Sequence, residues 1–123
     1  IVDSLVGSEM CIRDRYTLQA LWSMSREEID VVIVLLNNSS YNILNVELMR
    51  TRSGEPNAKT LSMLDLSDPF IDWVKIAQGM KVEAHKVSRV EEFDDKFSAA
   101  MEKRGPCLIE VIMSQEIGEA IKR

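Results

Sequence analysis

The chain has 123 residues, 46% hydrophobic and 28% charged; that is enough for one folded core, too few for several, and unlike a disordered chain. A formal net charge of −5 leaves no basic stripe to track a phosphate backbone or hold an anionic bilayer surface, so nucleic acid and membranes are excluded as partners. The longest apolar run, Val31 to Leu36, falls far short of a bilayer span, and Cys11 and Cys107 sit in no C-x-x-C pair and away from the single histidine, His85, as in a reducing, cytoplasmic setting.

Residues 1–15 have no clean helical or strand period and stop where an orderly amphipathic pattern begins at Tyr16. The run from Val2 to Arg15, unbroken through Glu9-Met10-Cys11-Ile12-Arg13-Asp14-Arg15, looks like the conceptual translation of a transposase-type sequencing adapter. The expected division is therefore a non-native, adapter-derived segment over 1–15 and a folded domain over 16–123. Cys11 and Asp14 then carry no function.

From Tyr16 to Arg26 the spacing of Leu18, Leu21, Trp22 and Ser25 predicts an amphipathic helix with Trp22 facing inward. Glu27 and Glu28 lead to a turn. Asp30 to Leu36 is a short β-branched apolar run, the pattern of a strand buried on both faces of a parallel sheet, and Asn37-Asn38-Ser39-Ser40 stops it. A second helix is expected over Tyr41 to Arg50. A long polar loop follows from Thr51 to Ser67, and loops of that length are often functional.

Asp68 before Pro69 reads as a helix start, with Phe70, Trp73, Val74, Ala77 and Met80 as the apolar face. Val82 to Val87 is a short strand carrying His85, which is taken as a surface residue. Ser88-x-x-Glu91 reads as a capping box ahead of a helix whose inner face holds Val90, Phe93, Phe97, Ala100 and Met101. Gly105-Pro106 ends that helix, Cys107 to Met113 is a last strand with Cys107 in the core, and Gln115 to Lys122 is a terminal helix.

Strands alternating with helices imply right-handed βαβ crossovers. The expected fold class is α/β, three-layer, with a mostly parallel sheet covered by helices on both faces. Such sheets bind ligands at the carboxyl ends of their strands. The loop after Leu36, Asn37 to Ser40, lies at such an end. Taken alone, Asn-Asn there is a turn, since asparagine tolerates left-handed backbone.

The surroundings carry more. Tyr-Thr-Leu-Gln-Ala-Leu-Trp at 16–22, an apolar strand ending Leu-Asn-Asn at 36–38, and Ser-Tyr-Asn-Ile-Leu at 40–44 together resemble the C-terminal diphosphate-binding domain of thiamine-diphosphate enzymes. The members meant are acetolactate synthase large subunits and benzoylformate decarboxylases. The resemblance covers Tyr16 to Met113.

It implies thiamine diphosphate and Mg2+ as cofactors, held between a Gly-Asp-Gly triplet and a later Asn-Asn pair. By position Asn38 would give the metal its side-chain oxygen and Ser40 its backbone carbonyl, hard oxygen donors of the kind magnesium takes. Tyr41 and Asn42 would meet the diphosphate through backbone N–H groups at a helix start, and Ile43 matches a bulky residue near the reactive ring. Aligned on Tyr16, Gly-Asp-Gly would fall on Met10-Cys11-Ile12, which puts Cys11 where the family has its metal-binding aspartate; Asp14 is three positions away and is not promoted to ligand.

The resemblance further implies a cytoplasmic 2-oxoacid enzyme of the acetolactate synthase type, a homodimer or homotetramer at full length. The activating glutamate would come from a domain of a partner subunit, so this chain alone would be inactive. A benzoylformate-type decarboxylase and a non-catalytic domain of the same fold are the alternatives. Glu47, where biosynthetic acetolactate synthases commonly have tryptophan, argues against branched-chain amino-acid synthesis unless it is simply a solvated helix position. Met49 and Met63 are candidates to approach a substrate channel, and Ser53 to Leu66 a candidate lid.

Overall fold

The computed structural model describes residues 5–10, 18–51 and 57–113. In chain order its elements are β1 (Leu5–Met10), α1 (Gln19–Arg26), β2 (Val31–Asn37), α2 (Asn42–Thr51), α3 (Ala58–Leu64), α4 (Trp73–Gly79), β3 (Glu83–Val87), α5 (Val90–Glu102) and β4 (Cys107–Ile112). They fall into two compact units, one reaching to Asn37 and resuming over Asp72–Met113, the other running over Asn38–Ile71.

The first unit is the α/β sheet the alternation implies. Its strands lie in the order β1-β2-β4-β3, every pair parallel. Because strand side chains alternate between faces, neighbouring β4 residues feed opposite cores. Leu108 packs with Ala84, Val82, Ala77 of α4 and Leu21 of α1. Cys107 and Ile109 pack on the other face with Val32, Val87 and Ala100 of α5, beside the stacked rings of Phe93 and Phe97, 5.4 Å apart. Helices thus cover both faces. Burial of a residue such as Leu108 or Ile109 contributes about 2 kcal/mol.

Residues 5–10 belong to this sheet as its edge strand, although they show no strand alternation; the rest of 1–15 lies outside the described residues. An edge position explains the difference. It takes main-chain hydrogen bonds from β2 and does not require a side-chain pattern.

Several sequence expectations are corrected. Trp22 does not face inward: it is 54% exposed, with the Arg26 guanidinium 5.4 Å from its ring centroid, and Leu21 takes the buried position. An indole can lie outside where a cation covers its face. Val90, at 72% exposure, is likewise off the inner face of α5, because it is the first residue of that helix. No capping box forms with Glu91. Arg89 is the N-cap without a side-chain bond, and Glu92 Oε2 accepts from Ser88 N at 3.4 Å.

Asp68 does not cap α4. Asp72 does, its carboxylate accepting from Lys75 N at 3.1 Å, so the helix begins four residues later in the sequence than expected and Phe70 is exposed. The long polar loop contains a helix, α3, whose first turn is closed by Asn57 Oδ1 accepting from Thr60 N at 2.8 Å. The remaining loop residues 52–56 and the terminal helix expected over Gln115 to Lys122 lie outside the described residues.

Candidate functional site

Parallel strands present all their carboxyl ends on one edge, the edge where open α/β sheets bind ligands. Met10 pairs with Leu36 and Asn37 with Ile112, so β1, β2 and β4 end there together. Asn37 is buried, its carbonyl accepting from Met113 N at 2.9 Å and its Nδ2 donating to Glu110 Oε1 at 2.7 Å. Glu110 is 0% exposed. Among the described residues its second oxygen makes no hydrogen bond, and it faces Lys86 Nζ at 4.0 Å.

In the second unit the chain leaves Asn38 through a tight loop. Asn38 Oδ1 accepts from Ser40 N at 3.2 Å, and Ser39 between them takes a left-handed conformation, φ 51°, which costs a non-glycine residue of the order of 1 kcal/mol. Ser40 bridges to Asp65 in antiparallel fashion. The hydrogen bonds of that bridge belong to its neighbours, Leu66 N to Ser39 O and Tyr41 N to Leu64 O, both at 2.9 Å. Neither uses the Ser40 carbonyl.

The Ser40 hydroxyl is buried, donating to Leu64 O at 3.4 Å and accepting from Asn45 Nδ2 at 3.1 Å. Tyr41 O receives Leu44 N at 3.0 Å and Asn45 N at 3.2 Å, which starts α2. On the far side of the bridge, Asp65 is held below the usual carboxylate range by hydrogen bonds from Ser67, whose N lies 2.9 Å away.

Asn38, Ser40 and Tyr41 are thus brought together on one loop, with Asn42 and Ile43 opening α2. Tyr41 spends its own N–H on Leu64. The side chains of Asn42, Ile43 and Met49 lie outside the described residues. Met63 is exposed. Glu47 is exposed and ion-paired with Arg50 at 3.3 Å, as a solvated helix position would be. The residue that sequence reasoning passed over is Glu110. Its signal was available, a lone charge inside the apolar run Cys107 to Ile112.

Residues 15–111 match the family described as thiamine pyrophosphate enzyme, C-terminal TPP binding domain. The chain belongs to this family. As a thiamine-pyrophosphate-binding domain it is 46% identical over 104 residues to the acetolactate synthase large-subunit homologue IlvX of Mycobacterium tuberculosis, covering 84% of this chain and 20% of that protein. Against benzoylformate decarboxylase of Pseudomonas aeruginosa it is 31% identical over 96 residues, 78% of this chain and 17% of the relative.

Among solved structures it superposes on a Rhodococcus jostii thiamine diphosphate-dependent 4-hydroxybenzoylformate decarboxylase with a TM-score of 0.79 and 31% identity, over 94% of this chain and 20% of that one. Benzoylformate decarboxylase from Polynucleobacter necessarius shares the fold at TM-score 0.79 and 20% identity, over 95% of this chain and 21% of that one. The thiamine-pyrophosphate-binding domain described here therefore spans about a fifth of the relatives it matches.

Proposed function

We propose that this domain binds the magnesium-diphosphate end of thiamine diphosphate in a cytoplasmic 2-oxoacid enzyme of the acetolactate synthase type. The Asn38–Ser40 loop is the observation that carries this reading. It holds an amide oxygen and a backbone carbonyl two residues apart, the carbonyl not consumed by the bridge to Asp65. Both are hard neutral oxygens suited to magnesium, which takes one or two protein groups beside phosphate oxygens and water. The Asn38–Ser40 and Asn45–Ser40–Leu64 hydrogen bonds hold the loop in shape against the cost of Ser39's left-handed backbone. Asn42 and Ile43, at the amino end of α2, would offer the diphosphate the unpaired N–H groups of a helix start. Tyr41 contributes by starting that helix, and Ile43 would lie toward the reactive ring.

The carboxylate half of such a site is not matched. Cys11 stands where the metal-binding aspartate is expected, and a thiol is a poor partner for magnesium. In this reading residues 1–15 have displaced the native Gly-Asp-Gly, and magnesium binding by the chain as it stands is weak. The end of β1 at Met10, level with Leu36, supports placing the lost triplet there, and the family match beginning at residue 15 supports the boundary.

When bound, thiamine diphosphate supplies the carbanion that adds to a 2-oxoacid and allows carbon dioxide to leave. This chain's residues bind and aim it. The activating glutamate would come from another domain in a homodimer or homotetramer, so the isolated domain is inactive. Higher identity to the acetolactate synthase homologue than to benzoylformate decarboxylase favours carboligation over simple decarboxylation.

A read of the source DNA across the Arg15–Tyr16 junction tests this reading. Gly-Asp-Gly in an open frame upstream is the expected result. A continuous native frame encoding Ile1 to Arg15 would contradict it and leave a non-catalytic domain of the same fold.

A further inference from the structure

At the amino ends of β3 and β4, away from the edge where Asn37 ends β2, three metal-ligating side chains meet. Glu83 and His85 are two residues apart on β3 and so project from one face. Cys107 is the register partner of Glu83 on β4. One donor atom from each lies within 4.8 Å of the other two, and His85 Nε2 is 2.9 Å from Glu83 Oε1. The cluster runs from core to surface: Cys107 is buried, His85 half-buried, Glu83 exposed. Lys103 Nζ donates to the other Glu83 oxygen at 2.7 Å. Glu83 also lines a cleft of about 490 Å3, with Ser25, Lys81 and Arg104 among its walls.

We propose that Glu83, His85 and Cys107 bind a divalent ion of the zinc class, with water from the cleft as the fourth ligand. Thiolate, imidazole and carboxylate form a donor set that zinc takes and magnesium does not. Tetrahedral coordination at metal–ligand lengths of about 2.0–2.3 Å sets the donors roughly 3.3–3.7 Å apart. Glu83 and His85, 2.9 Å apart, then part by roughly half an ångström, and Cys107, within 4.8 Å of both, closes by at most about 1.5 Å, a rotamer adjustment on two strands of fixed register.

On binding, the Cys107 S–H bond breaks, a sulfur–metal bond forms, and the proton passes to solvent. Lys103 keeps Oε2 and so orients Oε1 toward the ion, as outer-shell partners of metal ligands do. An exposed ion-pair network of Lys103, Glu83 and His85 would by itself be worth little; what it adds here is that its imidazole and carboxylate stand beside the one thiol on the inner side of the cluster.

Cobalt titration of the full chain, followed by zinc competition, tests the site without any enzymatic assay. About one equivalent of cobalt should bind, with the visible bands of tetrahedral coordination and a sulfur-to-cobalt charge-transfer band, all lost when zinc displaces it. Cys107→Ser should abolish the charge-transfer band, while His85→Gln and Glu83→Gln, both outside the core, should each weaken binding at least about tenfold with unchanged circular dichroism. Cys11→Ser should change nothing. Absence of stoichiometric binding, an octahedral spectrum without charge transfer, full affinity in His85→Gln, or loss of the band in Cys11→Ser would each overturn the proposal.

Discussion

Asn37 and Glu110 lie on neighbouring strands, both buried, with the asparagine amide donating to the carboxylate at 2.7 Å. The bond ties the last residue of β2, immediately before the Asn38–Ser40 loop, to the middle of β4. A carboxylate buried in a strand stays only where something answers it, and Asn37 and, more distantly, Lys86 do so.

Removing the amide should therefore cost more than removing the charge. Asn37→Ala leaves the carboxylate of Glu110 without its close partner and is expected to destabilise the chain by about 3 kcal/mol. Glu110→Gln keeps an oxygen that can accept from Asn37 and should cost about 1 kcal/mol. Urea unfolding of the two variants checks the order: a smaller loss in Asn37→Ala than in Glu110→Gln would contradict it.

The two tryptophans should separate in fluorescence. Trp73 is 2% exposed and Trp22 54%, so acrylamide should quench one population readily and the other poorly. Trp22→Phe should remove the accessible population with little change in stability. Trp73→Ala should cost about 3–5 kcal/mol, because it opens a large cavity beside α4.

Asn57→Ala removes the side chain that closes the first turn of α3 and should cost about 1 kcal/mol. Hydrogen exchange should show the loss in the amides of Ala58 to Leu64, with the sheet unchanged.

Asp72 gives a pH-dependent case. Its carboxyl is held below the ordinary value of 3.8, chiefly by the hydrogen bond from the backbone of Lys75. A depressed acid contributes stability that is present above its unfolded value and is lost as pH falls through the folded one. Asp72→Ala should thus lower the urea midpoint at neutral pH, and the gap from wild type should close in strong acid. A gap that persists there would show that the carboxylate is not the source.

The fold was legible because apolar runs such as Val31 to Leu36 and Cys107 to Met113 have no other use in a chain this short, and helices separate them. What misled was local. Trp22 and Val90 fit a helical stripe by spacing, yet one lies outside beneath Arg26 and the other sits on a helix's first residue. Asp68-Pro69 has the chemistry of a helix start, but so has Asp72, and which carboxylate caps depends on where Trp73 must be buried. α3 is short and leaves Leu61 and Met63 exposed, so it shows no apolar stripe, and its strongest signal was Asn57, which serves turns equally well.

The Asn38–Ser40 loop was legible through the family pattern rather than through periodicity. Its hydrogen bond to Leu64 was not, since that joins residues 24 apart in the sequence; Asn45, five residues on, is near enough to read but bonds Ser40 only once the loop is closed. Glu110 was visible as an anomaly, but its partner on another strand required the register.

Calorimetric titration of thiamine diphosphate with Mg2+ is the most direct test of the central claim, applied to this chain and to the variant Met10→Gly, Cys11→Asp, Ile12→Gly, with circular dichroism confirming that both fold. The chain should bind weakly, and the variant at least about tenfold more tightly, in a magnesium-dependent manner that Asn38→Ala abolishes. Equal affinity in the two, or binding in the variant that needs neither magnesium nor Asn38, would contradict the account.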